Sequence, residues 1–239
     1  MTAFTVDQPF TGEVASAEDA HALGDDYVVA VGKVIASHVR NELVGASVFD
    51  EPAIALAPAP QEKWLACRIA MEEYGHHLKF NRLANELGLP DPMAGRPLSV
   101  FDFELQTWVQ FVVLKAVVDQ AEVVLMEDLL QSTYLPLRHL AAKLMPEEKF
   151  HVSFGRARTT EVMADPDRRP EVQQALDDMV ALTLPFFGRS TSTNNETFRR
   201  WGIKRDTNDG ARAVFIERAR RLAGDLGLDF PEVSTTWNP

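Results

Sequence analysis

The sequence predicts an all-α fold: a four-helix bundle with additional C-terminal helices. Three observations predict it. Apolar residues recur at three- and four-residue spacing through four long stretches. No stretch of useful length alternates apolar with polar residues, so strands are not expected. A Glu-x-x-His pattern occurs twice, at Glu73/His76 and Glu148/His151, and on a helix that spacing puts both side chains on one face.

The elements follow in order. Residues 1–14 read as a loose lead-in. Ser16, followed by Glu18 and Asp19, resembles an N-cap with acidic residues suited to a positive helix end. Helix one runs from there to about Phe49, with Val28, Val31, Val34, Ile35, Val39 and Glu42 on one stripe. Residues 50–60 are a Pro-punctuated turn. Helix two spans about Gln61–Leu87, draws apolar surface from Trp64, Cys67, Ile69 and Leu78, and ends at Gly88 and Pro90. Ser99 with Asp102 reads as the N-cap of helix three, which is apolar nearly all round and continues to about Leu130. Helix four runs from about Thr133 to Met163, and Pro146 should kink or restart it. A fifth helix over 171–187, a polar loop at 188–196 and a last helix over 211–226 complete the chain. One domain covers 1–239, with the bundle at about 16–164 and the helical extension at about 170–226.

Composition narrows the class. The chain has 239 residues, 46% hydrophobic and 25% charged, enough for a large core. The net charge of -11 argues against nonspecific nucleic-acid binding. The single cysteine, Cys67, excludes an intrachain disulfide, fits a reducing compartment and reads as a small core residue. Apolar runs are broken by charge before the ~20 residues that a membrane span needs. No basic-then-apolar leader is visible at the N-terminus. A soluble cytoplasmic protein is expected.

Two Glu/His pairs, with one further carboxylate from each of two other helices, form the ligand pattern of di-iron and di-manganese bundles. Helix one offers Glu42, and helix three offers Asp119 or Glu122, three apart and both among apolar residues. The separations Glu42–Glu73 and Asp119–Glu148 each suit a helix descent, a turn and a climb to the same height. The longer gap from His76 to Asp119 contains a crossover connection, which marks the ferritin-like type of bundle. Carboxylate-rich ligation with one His per metal suits iron or manganese better than zinc. His77 points away from the ligand face. His21, His38 and His139 have no acidic partner at ligand spacing and are read as structural or exposed.

The stretches SHVRNELVG, EEYGHHL, VVDQAEVVL, PEEKFH and FRRWGIKRDTND resemble the catalytic subunits of the ring-1,2-phenylacetyl-CoA epoxidases, bacterial monooxygenases of the phenylacetic acid catabolic family. The resemblance covers roughly residues 25–215. It implies Asp119 rather than Glu122, and hence the ligands Glu42, Glu73, His76, Asp119, Glu148 and His151. It implies two iron ions (or manganese), dioxygen, electrons from a separate reductase, and an aromatic or acyl-CoA substrate. It also implies a paralogous metal-free partner subunit, or a homo-oligomer. The chain departs from the family in its shorter C-terminal part and in Glu122, where a small residue is usual. The basic run Arg199, Arg200, Lys204, Arg205, Arg212, Arg218, Arg220 and Arg221 is a candidate for CoA phosphates, with Lys204 and Arg205 the named substrate-binding candidates. The competing readings are a ferritin-like storage protein or a metal-free partner subunit.

Overall fold

The chain folds as an all-α, ferritin-like bundle, seen in a computed structural model that describes residues 8–238. The helices are α1 (Ala17–Leu23), α2 (Asp25–Gly45), α3 (Glu51–Leu56), α4 (Pro60–Leu87), α5 (Trp108–Leu129), α6 (Leu135–Val162), α7 (Arg169–Thr183), α8 (Thr193–Arg200) and α9 (Asn208–Asp225). Among the described residues no strand forms, and the single isolated β-bridge joins Val14 to Tyr134. No helix of the described residues is long and apolar enough to cross a membrane.

Four helices make the bundle. α2 pairs with α4 and α5 with α6, and these are the most extensive contacts in the molecule. The two hairpins are joined by the crossover at 88–107. α5 is apolar on nearly every side because α6, α7 and α9 all pack on it. Its approach to α6 is closest at Gly155, where a Cβ would lie 2.3 Å from the Ala116 amide nitrogen and 2.6 Å from the Lys115 carbonyl carbon.

Several boundaries differ from expectation. Ser16 does cap a helix, accepting a bond from the Asp19 amide, but Gly24 at φ 109° breaks the stretch into α1 and α2. The end of the first long helix loosens into a π-helical turn, Ala46–Asp50, and α3 occupies the expected turn at 50–60. Ser99–Asp102 is an isolated 3₁₀ turn. The cap of α5 is Thr107, in a full capping box with Gln110. α6 runs unbroken through Pro146, so the helix does not restart there. The fifth helix stops at Thr183 and tightens to a 3₁₀ turn, and α8 starts within the expected polar loop, capped by Ser192, and runs on to Arg200. Of the expected loose lead-in, residues 1–7 lie outside the described residues. The rest is tied down: Val14 is buried, its amide donates to the Thr133 carbonyl, and Phe10 packs edge-on against Tyr27 and Trp201.

α4 also corrects the sequence reading of its apolar surface. Ile69 is buried, but Trp64 and Leu78 are about two-thirds exposed and Cys67 is exposed, so this cysteine is no core residue.

The core is divided. One hydrophobic cluster contains Phe49, Ile69, Val118 and Phe154; the other contains Val39, Phe80, Val123 and Met145. On each long helix the acidic and imidazole residues fall between members of the two clusters: Glu42 after Val39, Glu73 and His76 between Ile69 and Phe80, Asp119 after Val118, and Glu148 and His151 between Met145 and Phe154. A polar layer thus separates two apolar ones.

Candidate metal centre

All six residues expected as ligands meet in that layer. Glu42, Glu73, His76 and Glu148 offer ligand atoms within 4.8 Å of one another, and so do Glu73, Asp119 and His151. Every one of them is buried. His76 Nδ1 lies 2.9 Å from Glu148 Oε1, 3.5 Å from Glu73 Oε2 and 3.7 Å from Glu42 Oε2. His151 Nδ1 lies 3.2 Å from Glu73 Oε1, 3.8 Å from Asp119 Oδ2 and 3.9 Å from Glu148 Oε2. Glu73 and Glu148 therefore each turn one oxygen to each imidazole, as carboxylates that span two neighbouring groups do. The imidazole centroids are 6.1 Å apart.

Both Nδ1 atoms, Glu148 Oε1 and Asp119 Oδ2 are buried without an aligned hydrogen bond, although opposite charge lies close to each. Buried polar atoms are normally paired. Atoms that converge this closely yet align with none of their neighbours could hold a shared cation. The opposite ring nitrogens are held in a reciprocal way. His76 Nε2 meets Glu147 Oε2 at 2.8 Å, across from α4 to α6, and His151 Nε2 meets Glu72 Oε2 at 2.9 Å, back from α6 to α4. An outer carboxylate on the far nitrogen fixes the tautomer and aims the near nitrogen inward, as in metal-binding histidines generally. The donor set, imidazole and carboxylate without thiolate, fits iron or manganese.

Sequence reading missed two neighbours. Lys115, fully buried, puts its ammonium 2.8 Å from Asp50, 3.1 Å from Glu73 and 3.2 Å from Asp119. It is an internal cation at the Glu73–Asp119–His151 group, where it compensates carboxylates that a metal would otherwise neutralise. Asp50 reaches this place from the π-helical turn. One missed signal was legible: His38 does have a partner at helical spacing. Its Nδ1 lies 3.6 Å from Glu42 and 3.3 Å from Glu122. His77 instead binds the Val39 carbonyl, His21 contacts the Leu87 carbonyl, and His139 is exposed.

Burial and crowding displace the titrations. Burial lifts Glu148 to about 7 and Asp50 to about 6. Burial also lifts Asp119 well above the usual range, against the pull of Lys115. For Glu73 the opposing Lys115 and His151 charges outweigh burial and hold the carboxyl low. Burial disfavours the charged imidazoles, but carboxylates overcome it, taking His151 to about 10 and His38 to about 9. The stability of the metal-free protein should follow. A histidine with a raised folded pKa stabilises fully below its unfolded value of about 6.5 and loses that as pH climbs through its folded value. A carboxyl with a raised folded pKa acts in the same direction, its contribution declining between the unfolded value and about 7. Glu73, with a lowered pKa, changes only at more acid pH. The chelated protein should therefore melt at least about 4 °C lower at pH 9.5 than at pH 6. A calorimetric Tm that rises over that window contradicts the assignment.

Two cavities adjoin the centre. An inner one of about 60 Å³ is lined by Glu42, Glu73, Asp119 and Glu148 together with Phe49, Leu114 and Val118. An outer one of about 620 Å³ is lined by Lys33, Arg40, Lys204, Asn194, Phe198 and others. Asn41, Glu122 and Phe186 line both. Of the basic C-terminal run, Lys204 alone faces the outer cavity; Arg205 is exposed and is not among the residues lining it. Arg212 is fully buried and binds the Leu184, Gly188 and Thr235 carbonyls, while Arg218 pairs with Glu127 and Arg221 with Glu217. The run is thus dispersed rather than gathered into one phosphate site.

Fold and centre together define a class: helical bundles with a buried carboxylate–imidazole cluster between paired hairpins. The sequence profile of the "Phenylacetic acid catabolic protein" family matches residues 1–238. The chain belongs to that family. A relative from Escherichia coli (strain K12), one of the subunits of 1,2-phenylacetyl-CoA epoxidase, is 26% identical over 219 residues, which is 87% of this chain and 71% of the relative.

Proposed function

We propose that the chain is a single ferritin-like domain acting as a cytoplasmic non-haem di-iron monooxygenase. Its substrate would be an aromatic or related ring, carried as an acyl-CoA thioester such as phenylacetyl-CoA. The observation that carries this reading is the pair of inward Nδ1 atoms, each backed by a carboxylate from the other helix. Glu42, His76, Glu73 and Glu148 would hold one ion, and Glu73, Glu148, Asp119 and His151 the other. When bound and reduced, two such ions supply dioxygen activation. One oxygen atom enters the ring and the other leaves as water, with two electrons from a reductase and two protons.

The chain's own residues do the remaining work. Phe49, Leu114 and Val118 form the apolar part of the inner cavity's wall and would restrict water beside the carboxylates that line the rest. Lys33, Arg40 and Lys204 give the outer cavity a positive lining suited to an anionic substrate.

The relative's description as one subunit of an epoxidase supports partner subunits for this chain as well, and a reductase would be needed to supply the electrons. Lys115 favours a second reading, a metal-free partner subunit, because an ammonium already neutralises one group. One experiment separates the two. Anaerobic loading with Fe(II) should retain at least two ions per chain, and oxygen exposure should then give an oxidised di-iron spectrum that changes with phenylacetyl-CoA. Protein that retains no iron belongs to the second reading.

A further inference from the structure

We propose that His38, Glu42 and Glu122 form a third divalent-cation site, at the neck between the outer and inner cavities. The inference rests on the di-metal reading above, because Glu42 is common to both.

The geometry begins with Glu42, whose two oxygens face opposite ways. Oε2 points to His76 in the inner group, and Oε1 points to His38, 3.6 Å away. Glu122 Oε1 approaches the same His38 Nδ1 at 3.3 Å. The three ligand atoms lie within 4.8 Å of one another, as compact as the inner groups. The His38 side chain is more than nine-tenths buried, and its ring lies flat on Phe80, centroids 4.5 Å apart with planes 9° from parallel. The stacking fixes the plane in which Nδ1 points. Glu122 Oε1 is buried and makes no aligned hydrogen bond although His38 Nδ1 lies close by, the same signature that marks the inner ligands. A buried carboxylate oxygen without an aligned hydrogen bond is costly, and a shared cation would remove that cost.

One imidazole and two carboxylates suit Mn(II), Fe(II) or Zn(II). Three protein ligands leave coordination positions open, and Glu122 lines both cavities, so those positions face the neck. Water, or an oxygen of a bound substrate, would complete them. Because Glu42 bridges, an ion here engages Oε1 while an inner ion engages Oε2, which makes this ion the outermost and weakest of three.

The test is stoichiometry. The metal-free full-length chain is titrated anaerobically with Mn(II), and bound metal is measured by mass spectrometry after desalting and by competition with a chromophoric chelator. Wild type should take three equivalents. Glu122→Gln and His38→Gln should each take two, with the third equivalent weakened at least about 10-fold, in line with loss of one ligand. Unchanged circular dichroism would certify the fold of both variants. Anomalous diffraction from Mn-soaked crystals should place a peak beside His38 Nδ1 in wild type and none there in Glu122→Gln. Two equivalents in wild type would overturn the third site and leave the di-metal reading standing. Zero would overturn both. Three equivalents retained in both variants would also overturn the third site.

Discussion

Replacing Glu148 by Ala should abolish the metal-dependent part of the protein's stability. Glu148 turns Oε1 toward His76 and Oε2 toward His151, so it serves both groups at once. Its loss removes one donor from each, and affinity should fall by more than the 10–100-fold that follows loss of an outer carboxylate. A ligand that binds only the folded chain at about 100 times its Kd stabilises by about 2.7 kcal/mol. For a chain of this size that is a rise in Tm of roughly 5–10 °C. Wild type should show the rise when Fe(II) or Mn(II) is added anaerobically, and Glu148→Ala should not. A variant that still gains stability with metal would remove Glu148 from the ligand set.

The second large effect is expected away from the charges, at Gly155→Ala. The added Cβ would sit 2.3 Å from the Ala116 nitrogen, 2.6 Å from the Lys115 carbonyl carbon and 2.7 Å from the Val112 carbonyl oxygen. All three are backbone atoms of α5, so no flexible side chain can yield and the helices themselves must separate. Overpacking of a tight core costs about 1–3 kcal/mol, and a backbone clash should reach the upper end or beyond. The displacement acts on the centre as well. Gly155 is one turn beyond His151, and the three residues its added Cβ would meet include Lys115 and precede Asp119. Urea denaturation should show the loss of stability, and metal titration should show weaker binding at the Glu73–Asp119–His151 group. Full stability with full metal content would mean that α5 and α6 do not cross this closely.

The four long helices were legible because their apolar periodicity is strong, and the paired Glu/His motifs because an i,i+3 spacing has one geometric meaning. The residues alone left Asp119 and Glu122 competing. The structure gives both a place, Asp119 beside His151 and Glu122 beside His38. What stayed hidden depends on contacts across helices. Glu72 and Glu147 point off the ligand face of their own helix, so spacing assigns them no role; each acts on the opposite helix. Lys115 sits in a continuous apolar run, where a lone lysine announces no partner. Asp50 reaches the centre only through a π-helical turn that no propensity signals. The misplaced start of α5 has a local cause. Ser99–Asp102 and Thr107–Gln110 both carry a capping spacing, but only the second forms the cap: the Gln110 amide donates to Thr107 Oγ1 and the Thr107 amide donates to Gln110 Oε1.

The divided core bears on more than ligand placement. Two apolar halves that meet at a charged seam gain less from hydrophobic burial at the seam than on either side of it. Cations held there would act as rivets, closing the seam from within and joining two half-bundles into one cooperative body. Assembly of the centre and consolidation of the fold would then be the same event.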